Sequence, residues 1–256
     1  MDEPTFQIER QKLVLDCINR EKRVSVAELS EEFGLSRVTI RKYLNELHSK
    51  GLIVKTHGGA ISVSSELNYE IPYHKKTTLF IEEKRRIGAA AAELIDDGSV
   101  IIIDAGSTTF ELARKIANRR LTVITNDIQI AHHLVMRPGI KLIIVGGEVQ
   151  QDLYTAIGSF AESFLRQIHV NQVFLGADAI DIEHGITNRT LEETSVKKAM
   201  IAAASSVILL ADHTKFDTQA FATVCPLKSL DAIVTDALPS RYEKHLSQNH
   251  VRTIIA

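Results

Sequence analysis

Small polar residues follow an apolar run near the middle of the chain. The run Val100–Asp104 leads into a short loop, and helical periodicity resumes after Gly106, Ser107, Thr108 and Thr109. A strand, a glycine-containing loop and a helix N-terminus together form a site where free backbone N–H groups and hydroxyls bind an anion. The alternative is a capped helix after a tight turn, which needs no ligand.

Four further loops place polar or glycine residues directly after predicted strands. They contain Thr125, Asn126 and Asp127; Gly146 and Gly147; Gly176 and Asp178; and Asp212 and Lys215. Because ligands bind at the carboxyl ends of parallel strands, we expect these loops to converge on one crevice. Asp178 is suited to accept hydrogen bonds from sugar hydroxyls, and Lys215 to neutralise a phosphate. The alternative for Lys215 is an ion pair with Asp212 or Asp104.

A polar cluster lies between Gly185 and Lys198. Glu192 or Glu193 lies about one helical turn before Lys197, so the pair is either part of the site or a surface ion pair.

The first 62 residues indicate a different chemistry, the binding of DNA. The predicted helix from Ser36 to Lys50 carries four cations and one anion, and its apolar residues Ile40, Leu44 and Leu47 share one face. On the opposite face, cations can contact phosphates, and arginines can contact guanine edges in the major groove. The candidate DNA-binding residues are Ser36, Arg37, Thr39, Arg41, Lys42, Lys55 and His57. The alternative is a solvated cationic face on a helical bundle.

The elements around this helix predict a winged helix-turn-helix. A capping box at Ser25 and Glu28 opens a short helix, and a Gly58-Gly59 turn joins two short strands. Residues 63–81 lack periodicity and are interpreted as a linker. We also expect residues 63–86, which contain Lys76 and Lys84, to couple the two domains.

From residue 82 onward, apolar strands alternate with amphipathic helices, which is typical of an α/β domain with a parallel sheet. The predicted strands are Val100–Asp104, Thr122–Thr125, Leu142–Val145, Val173–Gly176, Val207–Ala211, Ala232–Thr235 and Arg252–Ile255. The predicted division is therefore a DNA-binding domain over 1–62, a linker over 63–81 and an α/β domain over 82–256.

Composition excludes several classes of protein. Of 256 residues, 45% are hydrophobic and 24% charged, and the net charge of −2 excludes a wholly basic nucleic-acid coat. Cys17 and Cys225 are too few for a disulfide scaffold or a zinc finger. The chain has no apolar signal core and no run near the ~18 residues of a membrane span, so we expect a cytoplasmic protein without membrane contact. The histidines lack ligand spacing, and we expect neither a metal nor a cofactor.

Two stretches resemble the DeoR family of bacterial sugar-catabolism regulators. Residues 36–60 match its DNA-binding motif in Thr39-Ile40-Arg41-Lys42 and His57-Gly58-Gly59-Ala60. The C-terminal half matches its effector domain, which is similar to ribose-5-phosphate isomerase. The matching pieces include Asp104 to Thr108, Thr125-Asn126, Gly146-Gly147, Gly176 to Asp178, Gly185 to Thr187, Glu193, Lys197, Asp212 and Lys215. Tyr43, Asn188 and Thr190 depart from the usual family residues.

The resemblance implies a repressor of a sugar or sugar-alcohol operon. Its partners would be double-stranded operator DNA and a phosphorylated sugar effector, and it implies effector binding by Asp104, Thr125, Asn126, Gly146, Gly147, Asp178, Gly185, Thr187, Glu193, Lys197, Asp212 and Lys215. One winged helix contacts little DNA, so we expect a homodimer or homotetramer.

The sequence also allows two alternatives to a ligand-controlled regulator. The first is an isomerase-like enzyme fused to a DNA-binding module. The related isomerases carry a lysine and a glycine-rich run where this chain has Gly185-Ile-Thr-Asn188, so we expect no catalysis. The second is an architectural DNA-binding protein without a ligand, which leaves the polar loops unexplained.

Overall fold

The computed structural model describes residues 3–49, 52–62, 73–151 and 153–256. The chain forms two compact units, Met1–Ile71 and Pro72–Ala256. Within the described residues, no helix is long and apolar enough to cross a lipid bilayer. Residues 63–72 of the predicted linker lie outside this description, whereas the four residues 73–76 form a short helix.

The first unit is a winged helix-turn-helix, as predicted. Its elements are α1 (Glu3–Glu21), β1 (Arg23–Ser25), α2 (Val26–Glu32), α3 (Arg37–Ser49), β2 (Ile53–Thr56) and β3 (Gly59–Ser62). The strands form an antiparallel sheet in the order β1-β3-β2, so the predicted hairpin gains a third strand. The Ser25 hydroxyl accepts from the Glu28 N–H, and the Glu28 carboxylate accepts from the Ser25 N–H. This capping box begins α2 where the sequence predicts it.

Apolar residues of α3 anchor the helix in the core of this unit. Ile40, Leu44 and Leu47 are buried, and so is Tyr43. A Cβ atom at Gly59 would collide with the backbone of β1, so the close pairing of β1 with β3 requires glycine there.

The second unit contains a seven-stranded parallel sheet among its described residues. The strand order is β15-β14-β12-β9-β4-β5-β6. These strands are β4 (Val100–Ile103), β5 (Leu121–Thr125), β6 (Ile140–Ile144), β9 (Val170–Leu175), β12 (Ala204–Leu210), β14 (Ala232–Thr235) and β15 (Arg252–Ile255). All seven predicted strands belong to this sheet, and the α/β prediction is confirmed. Apolar clusters pack on both faces, as expected for strands rich in branched apolar residues.

Helices connect and cover these strands. They are α4 (Tyr73–Lys76), α5 (Ile81–Ala92), α6 (Ser107–Ile116), α7 (Ile128–Leu134), α8 (Ser159–Leu165), α9 (Leu191–Ala203) and α10 (Ser240–Gln248). The chain runs from β4 through β5 to β6 on one side and then returns to β9, β12, β14 and β15 on the other. The order therefore reverses between β4 and β9, which is where open α/β sheets bind ligands.

Five short strands in this unit were not predicted. A three-stranded sheet has the order β10-β11-β13, and β7 pairs with β8 in a hairpin. Their bounds are β7 (Glu148–Gln150), β8 (Thr155–Ile157), β10 (Ala179–Asp181), β11 (Gly185–Asn188) and β13 (Ala222–Cys225). Strands of three or four residues are too short to show a period-2 pattern, so their sequences carry little signal.

Candidate functional site

The exposed face of α3 concentrates positive charge in the first unit. Arg37, Arg41 and Lys42 are exposed, opposite the buried Ile40, Leu44 and Leu47. Val38 is 74% exposed on the same helix, so it also presents an apolar group to solvent. Lys42 lies 4.0 Å from Glu46, one turn along the helix. This face offers hydrogen-bond donors for phosphates and base edges and a methyl surface for thymine.

Other predicted DNA-binding residues have roles inside the unit. The Ser36 hydroxyl accepts from the Thr39 N–H at 3.1 Å, so Ser36 caps α3. Lys55, on the wing, donates to the side chain of Asn45 on α3. His57 is exposed in the turn between β2 and β3. Lys50, the last cation of the predicted helix, lies outside the described residues.

A cavity in the second unit opens at the carboxyl ends of β4, β9 and β12. Its free volume is about 60 Å³. The lining comes from three strand-end loops and from elements that pass over them: Lys76, Ala105, Gly106, Ser107, Thr108, Thr109, Gly176, Ala177, Asp178, Asn188, Glu193, Lys197, Leu210, Ala211 and Lys215. Eight predicted site residues therefore meet in one place, at the point where strand order reverses.

One end of this cavity is suited to an anion. Helix α6 starts at Ser107, and its N-cap residue, Gly106, has no side chain to cap the first turn. The first N–H groups of a helix have no partner within it and carry partial positive charge. Lys215 adds a cation. Of the two alternative partners considered for Lys215, Asp104 pairs with Lys197, and the Asp212 carboxylate accepts from the Thr214 N–H.

A buried ion pair between Lys197 and Asp104 lies beside the cavity, and Lys197 is part of the lining. Lys197 donates to the Asp104 carboxylate and, at 3.0 Å, to the Gly176 carbonyl. The two side chains are 5% and 2% exposed. Burial alone lowers the pKa of Lys197, but Asp104 and Glu193 outweigh it and raise the pKa overall. The surface i,i+4 pair considered for Lys197 is therefore wrong, because this lysine points into the protein.

Asp178 lies between cations. It forms an ion pair with Lys76 at 3.3 Å, and the Arg189 backbone N–H donates to it at 3.4 Å. Burial alone raises the pKa of Asp178, but Lys76 and Arg189 outweigh it and hold that pKa well below its usual range. The carboxylate therefore stays ionised and accepts hydrogen bonds at neutral pH.

The loop after β5 contacts the loop that leads into α6, which lines the cavity. Asn126 accepts from the Ala105 N–H, and Asp127 accepts from the Gly106 N–H, each at 3.2 Å. The Thr125 hydroxyl accepts from the Asp127 N–H. Burial raises the pKa of Asp127 to about 6, although its hydrogen bonds from backbone N–H groups oppose the shift. Thr125 and Asn126 thus hold the α6 loop in place and do not line the cavity.

Five other predicted residues also lie outside the cavity lining. Gly146 and Gly147 follow β6, the edge strand, which is two strands from β4 and so about 10 Å away. Thr187 accepts from the Ala220 N–H, and Asp212 caps a single helical turn over His213–Lys215. Gly185 begins β11 with φ +73°, a conformation that favours glycine.

Three residues of this site were missed. Lys76 belongs to the predicted linker, and Asn188 was noted only as a departure from a family motif. Lys84, named above only as part of the coupling segment 63–86, is 4% exposed and donates to the Lys76 carbonyl at 2.6 Å. Burial lowers the pKa of Lys84 to about 8, although Asp212 opposes the shift. A buried lysine that binds the helix carrying Lys76 helps to fix α4 at the cavity.

A wider depression of about 730 Å³ lies beside α10 and β15. It is open to solvent at the edge of the sheet, away from the strand-order reversal, so we do not place the site there. Among the described residues, no group of three or more His, Cys, Asp or Glu side chains is arranged to hold a metal ion.

Two family models match the chain. Residues 10–66 match the DeoR-like helix-turn-helix domain, and residues 79–237 match the DeoR C terminal sensor domain. The second match alone spans more than half of the chain.

Named relatives agree with these models. The transcriptional repressor AccR of Agrobacterium fabrum is 35% identical over 90% of this chain and 89% of its own. The glycerol-3-phosphate regulon repressor of Escherichia coli is 33% identical over 91% and 92%.

Solved structures give distant likenesses. The sorbitol operon regulator SorC of Klebsiella pneumoniae matches with TM-score 0.41 and 12% identity over 97% of this chain and 99% of its own. A D-ribose-5-phosphate isomerase matches with TM-score 0.40 and 17% identity over 53% and 54%.

Both halves of the chain match the two domains of one family in order, and the aligned relatives are regulators that share almost its full length. The isomerase alternative is therefore set aside. It belongs to the DeoR family of transcriptional regulators.

Proposed function

We propose that this protein represses a sugar or sugar-alcohol catabolic operon in the cytoplasm and that a phosphorylated sugar or polyol in the second unit controls it. The observation that carries the proposal is the cavity at the strand-order reversal. Lys215 and the start of α6 line this cavity together with the carboxylates of Asp178 and Glu193. Phosphate needs cations and N–H donors, and sugar hydroxyls need acceptors. The relative named as a glycerol-3-phosphate regulon repressor supports a small phosphorylated ligand.

For DNA binding, we propose that α3 enters the major groove and that Arg37 and Arg41 contact base edges. Ser36 and the wing residues Lys55 and His57 would contact the backbone. A homodimer or homotetramer would place two such helices about 34 Å apart, on half-sites one turn apart. We retain 1–62, 63–81 and 82–256 as the proposed division of the chain.

The effector releases DNA only if it binds the DNA-incompetent arrangement more tightly. We propose that coupling runs through α4, because Lys76 lines the cavity and the chain before α4 leads directly to the DNA-binding unit. A ligand that reaches Asp178 competes with the Lys76 ion pair and so changes what holds α4.

The test is fluorescence anisotropy of the full-length protein on DNA from upstream of its own gene and neighbouring operons, with a panel of sugar phosphates and the matching free sugars. Tight, salt-sensitive binding that one phosphorylated compound relieves is expected. Binding that no compound alters would contradict the sensor proposal and leave DNA binding intact.

Two variants separate the two activities. Arg41→Ala should abolish operator binding and keep ligand binding, with the exposed Arg120→Ala in the other unit as its charge-matched control. Lys215→Ala should keep operator binding and blunt the response to ligand, with the exposed Lys228→Ala as its control. Unchanged operator affinity in Arg41→Ala, or an unchanged ligand midpoint in Lys215→Ala, would refute the role of that residue.

A further inference from the structure

Asn188 carries a buried acceptor that no group in the described chain satisfies. The residue ends β11, is 2% exposed and lines the cavity. Its Oδ1 atom has no hydrogen-bond partner in the described structure. A buried carbonyl oxygen without a donor costs free energy, so its presence in a ligand cavity needs an explanation.

The backbone around Asn188 fixes where its side chain sits. Asn188 pairs with Ala222 of β13, and the neighbouring Thr187 hydroxyl accepts from the Ala220 N–H at 2.8 Å. Thr190, two residues later, caps α9 by accepting from the Glu193 N–H. Because both flanks are held, the backbone keeps Asn188 at the cavity lining.

Two carboxylates lie near Asn188. The Arg189 N–H donates to Asp178, so this carboxylate lies beside the end of β11. Glu193, which accepts from the Thr190 hydroxyl, also lines the cavity. The lining also holds Lys76 and Lys197, which are paired with Asp178 and Asp104. Further donors toward a ligand come from Lys215 and the start of α6, on other elements.

A phosphate group at neutral pH offers mainly acceptors, and so it is a poor match for an unsatisfied carbonyl oxygen. A hydroxyl group is a donor and matches it. We propose that Asn188 determines ligand specificity by accepting a hydrogen bond from a hydroxyl of the effector. The phosphate then faces α6 and Lys215, and the hydroxylated carbon chain faces β11. This inference rests on the proposed function and narrows the ligand to a phosphorylated polyol or sugar with a free hydroxyl.

The test compares ligands and variants together. Calorimetry on the full-length protein would use D-ribose 5-phosphate, D-glucose 6-phosphate, sn-glycerol 3-phosphate and inorganic phosphate. The best-binding probe would then be compared with its deoxy analogues, one for each hydroxyl. The variants are Asn188→Leu, which keeps the approximate shape, and Asn188→Thr, which keeps a smaller acceptor and serves if the leucine variant does not fold.

In the wild type, one deoxy analogue should bind roughly tenfold more weakly than its parent, as expected for one hydrogen bond to a buried acceptor. Asn188→Leu should bind the parent and that analogue equally, while its affinity for inorganic phosphate stays within twofold of the wild type.

Three results would overturn the inference. If Asn188→Leu still binds the parent compound more tightly than the deoxy analogue, another residue binds the hydroxyl. If it loses phosphate affinity in parallel, Asn188 binds the anion instead. In both cases the proposed function stands. If the wild type binds none of the probes, the proposed function fails and this inference fails with it.

Discussion

Breaking the buried ion pair under the cavity should strongly destabilise the second unit. In Lys197→Met, the Asp104 carboxylate, 2% exposed, keeps only the Gly176 N–H at 2.9 Å as a described partner. An uncompensated buried charge costs about 3–5 kcal/mol. With a urea m-value of about 2 kcal/mol/M, the unfolding midpoint of this unit should fall by about 2 M. Urea titrations of the full-length chain, followed by far-UV circular dichroism, measure this shift.

The same helix provides the control. Lys198 is exposed next to Lys197, and Lys198→Met should change the free energy of unfolding by less than about 0.5 kcal/mol. Adding Asp104→Asn to Lys197→Met removes the stranded charge, so the double variant should be at least about 2 kcal/mol more stable than the sum of the single effects predicts. A Lys197→Met protein within about 1 kcal/mol of the wild type would refute the argument that burial makes this pair interdependent.

Three further predictions concern other parts of the chain. Ser25→Ala removes the cap on α2 and should cost the first unit about 1 kcal/mol in thermal or urea unfolding; an unchanged midpoint would contradict the capping role. Tyr242→Phe removes a buried hydroxyl that donates to the Ile180 carbonyl and accepts from the Asp217 N–H, each at 3.1 Å, and should cost about 1–3 kcal/mol, whereas a neutral result would mean these bonds are replaced. Lys84 has its pKa lowered to about 8 from 10.5, so the folded state loses this proton first and wild-type stability should rise by about 3 kcal/mol as pH rises from 8 to 10.5. The wild type loses this stabilisation again as pH falls from 10.5 to about 8. Unfolding titrations of Lys84→Met should show no such rise in stability. The same pH dependence in wild type and variant would exclude Lys84 as its source.

The parallel sheet and the basic helix were predictable because their signals are local. Val100–Ile103 and similar runs are buried on both faces, so apolar continuity reveals them directly. The antiparallel strands were not predictable, since β13 is specified by its pairing with β11 and not by a pattern of its own.

The site was predictable in part for the same reason. Loops that follow strands can be located from the sequence, and the reversal of strand order then decides which of them meet. Partners far apart along the chain cannot be inferred from spacing. Lys197 and Asp104 are separated by 93 positions, and Lys76 reaches Asp178 from a segment without periodicity. Asn188 gave no signal because a single polar residue in a short strand does not reveal that its amide lacks a partner.

The unsatisfied amide at Asn188 also has an evolutionary consequence. A leucine there would remove a buried polar group and should make the unliganded protein more stable. Selection for heat resistance alone therefore favours loss of this asparagine, as in other proteins where binding sites are maintained at the expense of stability. If Asn188 accepts a hydrogen bond from the effector, such a variant should still bind DNA but should respond poorly to the ligand. Screens for thermostable forms of this regulator should therefore enrich permanently repressing alleles.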